Sequence, residues 1–304
     1  MIKTITIFFI LLFAPYLIGA EIPGTDISLF EIKKHKSSFS LEFNKHWVVR
    51  EGYDNQPTFT ADSESIYFTR MSDDGTTDIW QAFLSDEKTS PIQITKTVES
   101  EYSPTPLGRE NELSAVIAFE NKQSLKRVES GELTDTLSGT IEPVGYHAWV
   151  SENDLALFRL AEPHELVWYD RKSGKSRVVA EDVGRCMIAK GNDDEFFFAQ
   201  NHKGKYRLQS YSLSKQRAQP IIVLLDDSED FAWHSEIGFI HSNGDELFIS
   251  YPPYHRWDSL ASGISLSNIS RLSISPDGRW LAVVHNDLLN NKEDLNGESE
   301  NETD

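Results

Sequence analysis

Between residues 25 and 285 the chain repeats itself, and the repeated unit is made of strands. Short apolar or alternating runs recur, each bounded by Gly, Asp, Asn, Ser or Pro: Ser65–Thr69, Ala115–Phe119, Leu155–Leu160, Leu166–Tyr169, Phe196–Ala199, Leu247–Tyr251 and Leu281–His285. Their lengths and their β-branched or aromatic content predict strands, and little helical periodicity accompanies them. Gln56–Asp62 before Ser65–Thr69 can be laid over Leu272–Gly278 before Trp280–Val284. The same frame fits Ser103–Pro106, Gly145–Trp149, Cys186–Ile188 and Gly238–Ile240, each ahead of its own apolar run. In that frame Phe59, Pro106, Trp149, Ile188, Ile240 and Ile274 are equivalent, at spacings of 47, 43, 39, 52 and 34 residues. Units of about 40–50 residues with several strands each are the size of propeller blades.

Each unit continues into a second hairpin, such as Asp78–Phe83 followed by Pro91–Thr95. The chain start carries a surplus copy, in which Thr25–Ile32 matches the segment from Thr77 onward and Phe39–Phe43 matches Ile92–Thr95. The chain end lacks that hairpin. Two outer strands from the start and two inner strands from the end therefore complete one blade, which removes the open edge of the ring. The predicted fold is all-β, a six-bladed β-propeller over residues 21–285, closed by N-terminal strands that complete the last blade.

Two segments carry a family resemblance. Ser275-Pro276-Asp277-Gly278-Arg279-Trp280-Leu281-Ala282 and Gln56-Pro57-Thr58-Phe59-Thr60-Ala61-Asp62 resemble the WD40-like PD40 repeat of TolB-like six-bladed propellers. The resemblance implies that fold and not an activity; the expected function is that of a non-catalytic binding or scaffold propeller.

Outside the repeats the ends read differently. Lys3, an apolar run from Ile5 to Ile18 and Gly19-Ala20-Glu21 predict a signal peptide over residues 1–20, cleaved after Ala20. Pro15 and the shortness of the run argue against a spanning helix, which wants about 20 apolar residues. Residues 286–304 hold seven carboxylates against Lys292 and predict an acidic disordered tail. The expected product is an exported monomer, periplasmic or extracellular, with no stable membrane insertion. A net charge of −19 argues against a nucleic-acid partner, because phosphates would be repelled.

Catalytic signatures are scarce. No Gly-x-Ser-x-Gly elbow occurs, and Ser173-Gly174-Lys175-Ser176 lacks the leading Gly of a phosphate loop, so it reads as a hairpin turn. The nine histidines form no His-x-His or His-x-x-x-His pair. His147, His234 and His241 read as hydrogen-bonded core or surface residues, and the lone Cys186 as a small buried hydrophobe. No catalytic residue, metal ligand or cofactor is predicted. Carboxylates do gather where one blade hands over to the next. Glu51-Gly52-Tyr53, Glu99-Ser100-Glu101-Tyr102, Glu142 to Tyr146, and Glu181-Asp182 all precede an inner strand, and three of these connections carry a Tyr. General acidity of the chain is one explanation. The other is a binding site at the channel mouth, built from Tyr53, Tyr102, Tyr146, Glu51, Glu99, Glu101 and Glu181, that attracts a protein or a small cationic ligand. The alternative function is a metal-dependent propeller hydrolase or lactonase with a carboxylate-lined channel.

Overall fold

The computed structural model describes residues 22–85, 90–109, 112–226 and 228–288. The expected signal peptide and the acidic segment beyond Leu288 lie outside the described residues. The chain opens with β1 (Thr25–Lys34) and β2 (Phe39–Val48), and then runs through five consecutive four-stranded sheets. Blade one is β3 (Asp54–Phe59), β4 (Ser65–Met71), β5 (Thr77–Phe83) and β6 (Ile92–Gln93). Blade two is β7 (Ser100–Pro106), β8 (Glu112–Phe119), β9 (Lys122–Glu129) and β10 (Glu132–Thr136). Blade three is β11 (Val144–Trp149), β12 (Asp154–Arg159), β13 (Glu165–Asp170) and β14 (Lys175–Glu181). Blade four is β15 (Val183–Ala189), β16 (Glu195–His202), β17 (Lys205–Ser212) and β18 (Arg217–Val223). Blade five is β19 (Phe231–His234), β20 (Gly238–Ser242), β21 (Leu247–Ser250) and β22 (Asp258–Ser259). The sixth sheet is β23 (Arg271–Ile274) and β24 (Trp280–Asn286) joined to β1 and then β2. The protein is an all-β, six-bladed propeller.

The ring closes as the surplus N-terminal hairpin predicts. β1 lies antiparallel to β24, with Asp26 opposite His285 and Phe30 opposite Leu281. Alternation explains why this seam holds, because successive side chains leave a strand on opposite faces. Ile27 and Leu29 pack with Phe59 and Phe68 of blade one, whereas Phe30 and Ile32 pack with Ile240 and Ile249 of blade five. The second strands obey the same rule. Phe196 and Phe198 face blade three while Phe197 and Ala199 face blade five. A strand with both faces covered reads as a nearly continuous apolar run, and this is why the second strands were the easiest to find in the sequence.

Polar contacts finish the seam. Ser28 Oγ sits 2.8 Å from His46 Nδ1 and 2.6 Å from His285 Nε2. Asp26 accepts from the amides of Arg50 at 3.2 Å and Leu288 at 2.8 Å. β24 extends to Asn286, and the Asp287 amide donates to the Gly24 carbonyl at 3.0 Å. These contacts tie Asp287 and Leu288 to the start of β1.

Blade five departs from the sequence reading. Gly238–Ile240 belongs to β20, the second strand, and the inner strand is β19, only four residues long. The unequal spacings of 52 and 34 residues on either side of Ile240 came from that one-strand offset. With His234 as the blade-five position and Ala189 as the blade-four one, the inner strands end at more regular intervals.

The motif behind the family resemblance builds a turn. Ser275 Oγ donates to Asp277 Oδ1 at 2.6 Å and accepts from the Trp280 amide at 2.9 Å, while Asp277 Oδ1 accepts from the Arg279 amide at 3.0 Å. Thr60 and Asp62 repeat the arrangement in blade one. These turns join first to second strands. In an antiparallel meander they lie at the opposite end of the ring from the blade-to-blade connections, so the motif shapes the fold and stays away from the channel mouth.

Candidate functional site

The blade-to-blade connections and the turns between second and third strands share one face of the ring, hereafter the connection face. Exposed carboxylates crowd it, among them Glu51, Asp73, Glu120, Glu142, Glu181 and Asp226. The opposite face also carries exposed carboxylates, Asp62, Glu64, Glu152, Asp193, Glu236 and Asp277, but offsets them with Lys172, Lys215, Arg217 and Arg279, whereas on the connection face Lys96, Lys122 and Lys203 are outnumbered. Acidity is therefore not spread evenly over the molecule, and the field it makes is concentrated at one end of the channel.

Below this rim the inner strands bring a second set of residues together. Tyr102 lies opposite Val116, Tyr146 opposite Phe158 and Arg271 opposite Val284, which are corresponding register positions in blades two, three and six. Blades three and six face each other across a six-membered ring, yet Arg271 Nη2 donates to the Tyr146 hydroxyl at 3.0 Å. The Arg271 guanidinium carbon also stands 5.3 Å from the Tyr146 ring centroid. Arg271 Nη1 donates to Asp230 Oδ1 at 2.9 Å, and Arg185 Nη2 donates to Asp230 Oδ2 at 2.6 Å. Arg185 Nε lies 3.0 Å from Glu229 Oε1. Burial opposes ionisation of Asp230, but Arg185 and Arg271 outweigh it and hold the carboxyl below its ordinary range. Tyr53 completes the throat. Burial, with Tyr146 next, pushes its phenol up, while Arg271 and Arg185 act against that rise and Tyr102 adds to it. The hydroxyl of Tyr53 thus lies within electrostatic reach of groups from blades two, three, four and six.

Local structure explains how Tyr53 is held there. The Thr25 amide donates to the Gly52 carbonyl at 3.0 Å, and Thr25 bridges Tyr53 in parallel. Arg50 donates to the carbonyls of Glu51, Tyr53 and Met71, and its Nε lies 3.2 Å from Asp54 Oδ2. The first-strand backbones bulge where they reach the channel, between Asn55 and Thr58, Tyr102 and Thr105, Val144 and Tyr146, and Val183 and Met187. Bulges re-aim side chains at such positions.

The three tyrosines named from sequence, Tyr53, Tyr102 and Tyr146, are brought together. The four glutamates are not one set. Glu51 and Glu181 are exposed on the connection face and Glu99 is half-buried. Glu51 also borders, with Tyr53, Met71 and Asp73, a cleft of about 390 Å³. Glu101 is fully buried instead, bonded to the hydroxyls of Thr95 and, at 2.5 Å, Thr97. Burial outweighs those hydrogen bonds and lifts its carboxyl to about 7. Asp54 is buried too, clamped by Arg70 at 2.6 and 3.1 Å.

Arg185, Arg271 and Asp230 were missed as site residues. Their signal was present, because Arg271 occupies the register of Tyr102 and Tyr146, but it could be seen only after the inner strands were aligned. The three histidines singled out in the sequence make protein contacts, and Cys186, read there as a buried hydrophobe, is half-buried. His147 Nε2 pairs with Ser114 Oγ at 2.7 Å, His241 with the Asp230 carbonyl and the Leu225 amide, and His234 with the Pro276 carbonyl. Cys186 Sγ donates to the Phe231 carbonyl at 3.2 Å, and burial pushes its thiol up. Among the described residues no group of three His, Cys, Asp or Glu side chains is placed to hold a metal, and no helix is long and apolar enough to cross a membrane.

No protein-family model and no curated protein matches the chain. Solved structures do. A TolB-assigned protein of Agrobacterium tumefaciens superposes with a TM-score of 0.61 at 11% identity, over 88% of this chain and 99% of that one. TolB of Acinetobacter baumannii gives 0.54 at 10% identity, over 86% of this chain and 63% of that one. An oligogalacturonate lyase in complex with manganese gives 0.50 at 14% identity, over 84% and 77%. The fold is that of the TolB-like propellers. At these identities the likeness speaks for fold alone.

Proposed function

We propose that this protein is an exported, non-catalytic binding propeller of the TolB-like PD40 type that holds a basic protein segment at the connection-face mouth of its channel. The observation that carries this reading is the convergence of Tyr53, Tyr102 and Tyr146 beneath a one-sided carboxylate rim that includes Glu51, Glu99 and Glu181. The rim raises the encounter rate of a cationic partner. The tyrosine rings offer flat, amphipathic contact area at low conformational cost. Glu101, buried on its threonines, serves the connection into β7 rather than the ligand.

Tyrosine-selective labelling tests the reading. Lysine-rich randomised octapeptides added at low salt should shift the ring signals of Tyr102 and Tyr146. Tyr254, in the turn between β21 and β22 at the other end, should stay put. Shifts confined to Tyr254, or none at all, would remove the proposed mouth.

A further inference from the structure

The throat is tied shut across its own axis, and its hydrogen-bonding inventory is unbalanced. Asp230 and Glu229 are consumed by Arg185 and Arg271, and Glu229 Oε2 also accepts the Arg185 amide at 2.9 Å. Two guanidinium groups against two carboxylates leave the cluster without net charge. Donors are nevertheless left over. The hydroxyls of Tyr53 and Tyr102 bond to no described residue, and Arg185 Nε, although 3.0 Å from Glu229 Oε1, is buried without a hydrogen-bond partner. The Tyr146 hydroxyl accepts from Arg271 and keeps its own proton to give. Two further hydroxyls of the inner-strand region, Ser103 and Ser270, are buried without partners. Such a surplus of donors around balanced charge suits an incoming acceptor, and the strongest acceptor a peptide can offer is a carboxylate.

Resting on the reading above, we infer that the throat takes a carboxylate of the bound segment, which replaces Tyr146 on Arg271 Nη2 and opens the cross-channel tie. A carboxylate competes well there, since it meets the guanidinium as an ion pair that can be bidentate, whereas the phenol is a neutral, single acceptor. The released Tyr146 can then donate to the same group, and Tyr53, within electrostatic reach of Arg271 and Tyr102, stands near it. The rim explains why a small free anion would not do. A chain of net charge −19 with its carboxylates at this mouth repels isolated anions, so the carboxylate must arrive on a segment whose other residues are basic.

Three pools of lysine-rich randomised octapeptides separate the possibilities: one ending in a free carboxylate, one in a carboxamide, and one amidated with glutamate last. The free-acid pool should bind about ten-fold more tightly than the plain amide. That preference should collapse in Arg271→Gln. Because Arg271 also holds Asp230, the double variant Tyr53→Phe/Tyr102→Phe supplies a second arm. It removes only unpartnered hydroxyls and should cut the preference several-fold with folding intact. If the glutamate pool matches the free acid, a side-chain carboxylate serves as well as a terminal one and the inference stands. Equal binding of the acid and plain-amide pools would overturn the inference while leaving the rim reading in place. No binding of any pool would overturn both.

Discussion

At the scale of single residues, buried titratable groups set opposing pH dependences. Glu101 has its folded value lifted by burial to about 7 from an ordinary 4.5. Between those values the folded protein keeps a proton that the unfolded chain has released, so this residue's contribution to stability falls as pH rises through the window. Glu101→Gln fixes the neutral form. At pH 8 it should be more stable than the parent, by about 3 kcal/mol at most, and at pH 4 the difference should vanish. Urea unfolding at the two pH values reads this directly, and an equal effect at both would refute it. His147 acts the other way. Burial lowers its folded value to about 3 from 6.5, so its contribution is present above 6.5 and drains away as pH falls toward 3. His147→Gln should accordingly lose less stability than the parent between pH 6.5 and 4.

At the scale of elements, the seam and the hairpin turns carry the constraints. Phe30 is fully buried at the β1–β24 junction, so Phe30→Ala should cost about 3–5 kcal/mol. Removing Thr25–Val48 should expose the edge of β24 and give an aggregating product. Gly238 sits at φ +94° at the head of β20, with the Ser250 carbonyl where a Cβ would go. Gly204, in the β16–β17 turn, has φ +81° and open space around it. Gly238→Ala should therefore destabilise clearly more than the roughly 1 kcal/mol expected of Gly204→Ala, as thermal melts would show. Blade five also marks the limit of what was legible. Doubly covered strands such as β4, β8, β16 and β24 announce themselves by continuous apolar runs, and the surplus hairpin at the start revealed the closure. β19, four residues ending in Trp233-His234, has no such signature, and its neighbour β20 looked more like an inner strand than it did. The tyrosines were legible because each follows a carboxylate where one blade hands over to the next, although Tyr102 and Tyr146 lie within β7 and β11 and only Tyr53 lies ahead of its strand. Arg271 shares the register of Tyr102 and Tyr146, whereas Arg185 and Asp230 join it only through their ion pairs, which no sequence pattern announces.

At the scale of the whole molecule, the account rests on a difference between two faces. Carboxylates crowd the end that carries the tyrosine–arginine throat, whereas the other end is mixed in sign. Salt should weaken binding of a basic segment mainly through its association rate, because the rim charges act at a distance and the throat contacts do not. The most direct measurement is the association rate of the lysine-rich peptide pool at low salt for two charge-reversed variants. One is Glu51→Lys/Glu181→Lys on the connection face, and the other is Asp62→Lys/Glu236→Lys on the opposite face. Both change net charge by the same amount. The rim variant should slow association by about ten-fold, with the opposite-face variant close to the parent. Equal slowing by both, or a larger effect from Asp62→Lys/Glu236→Lys, would contradict a binding site at the connection-face mouth.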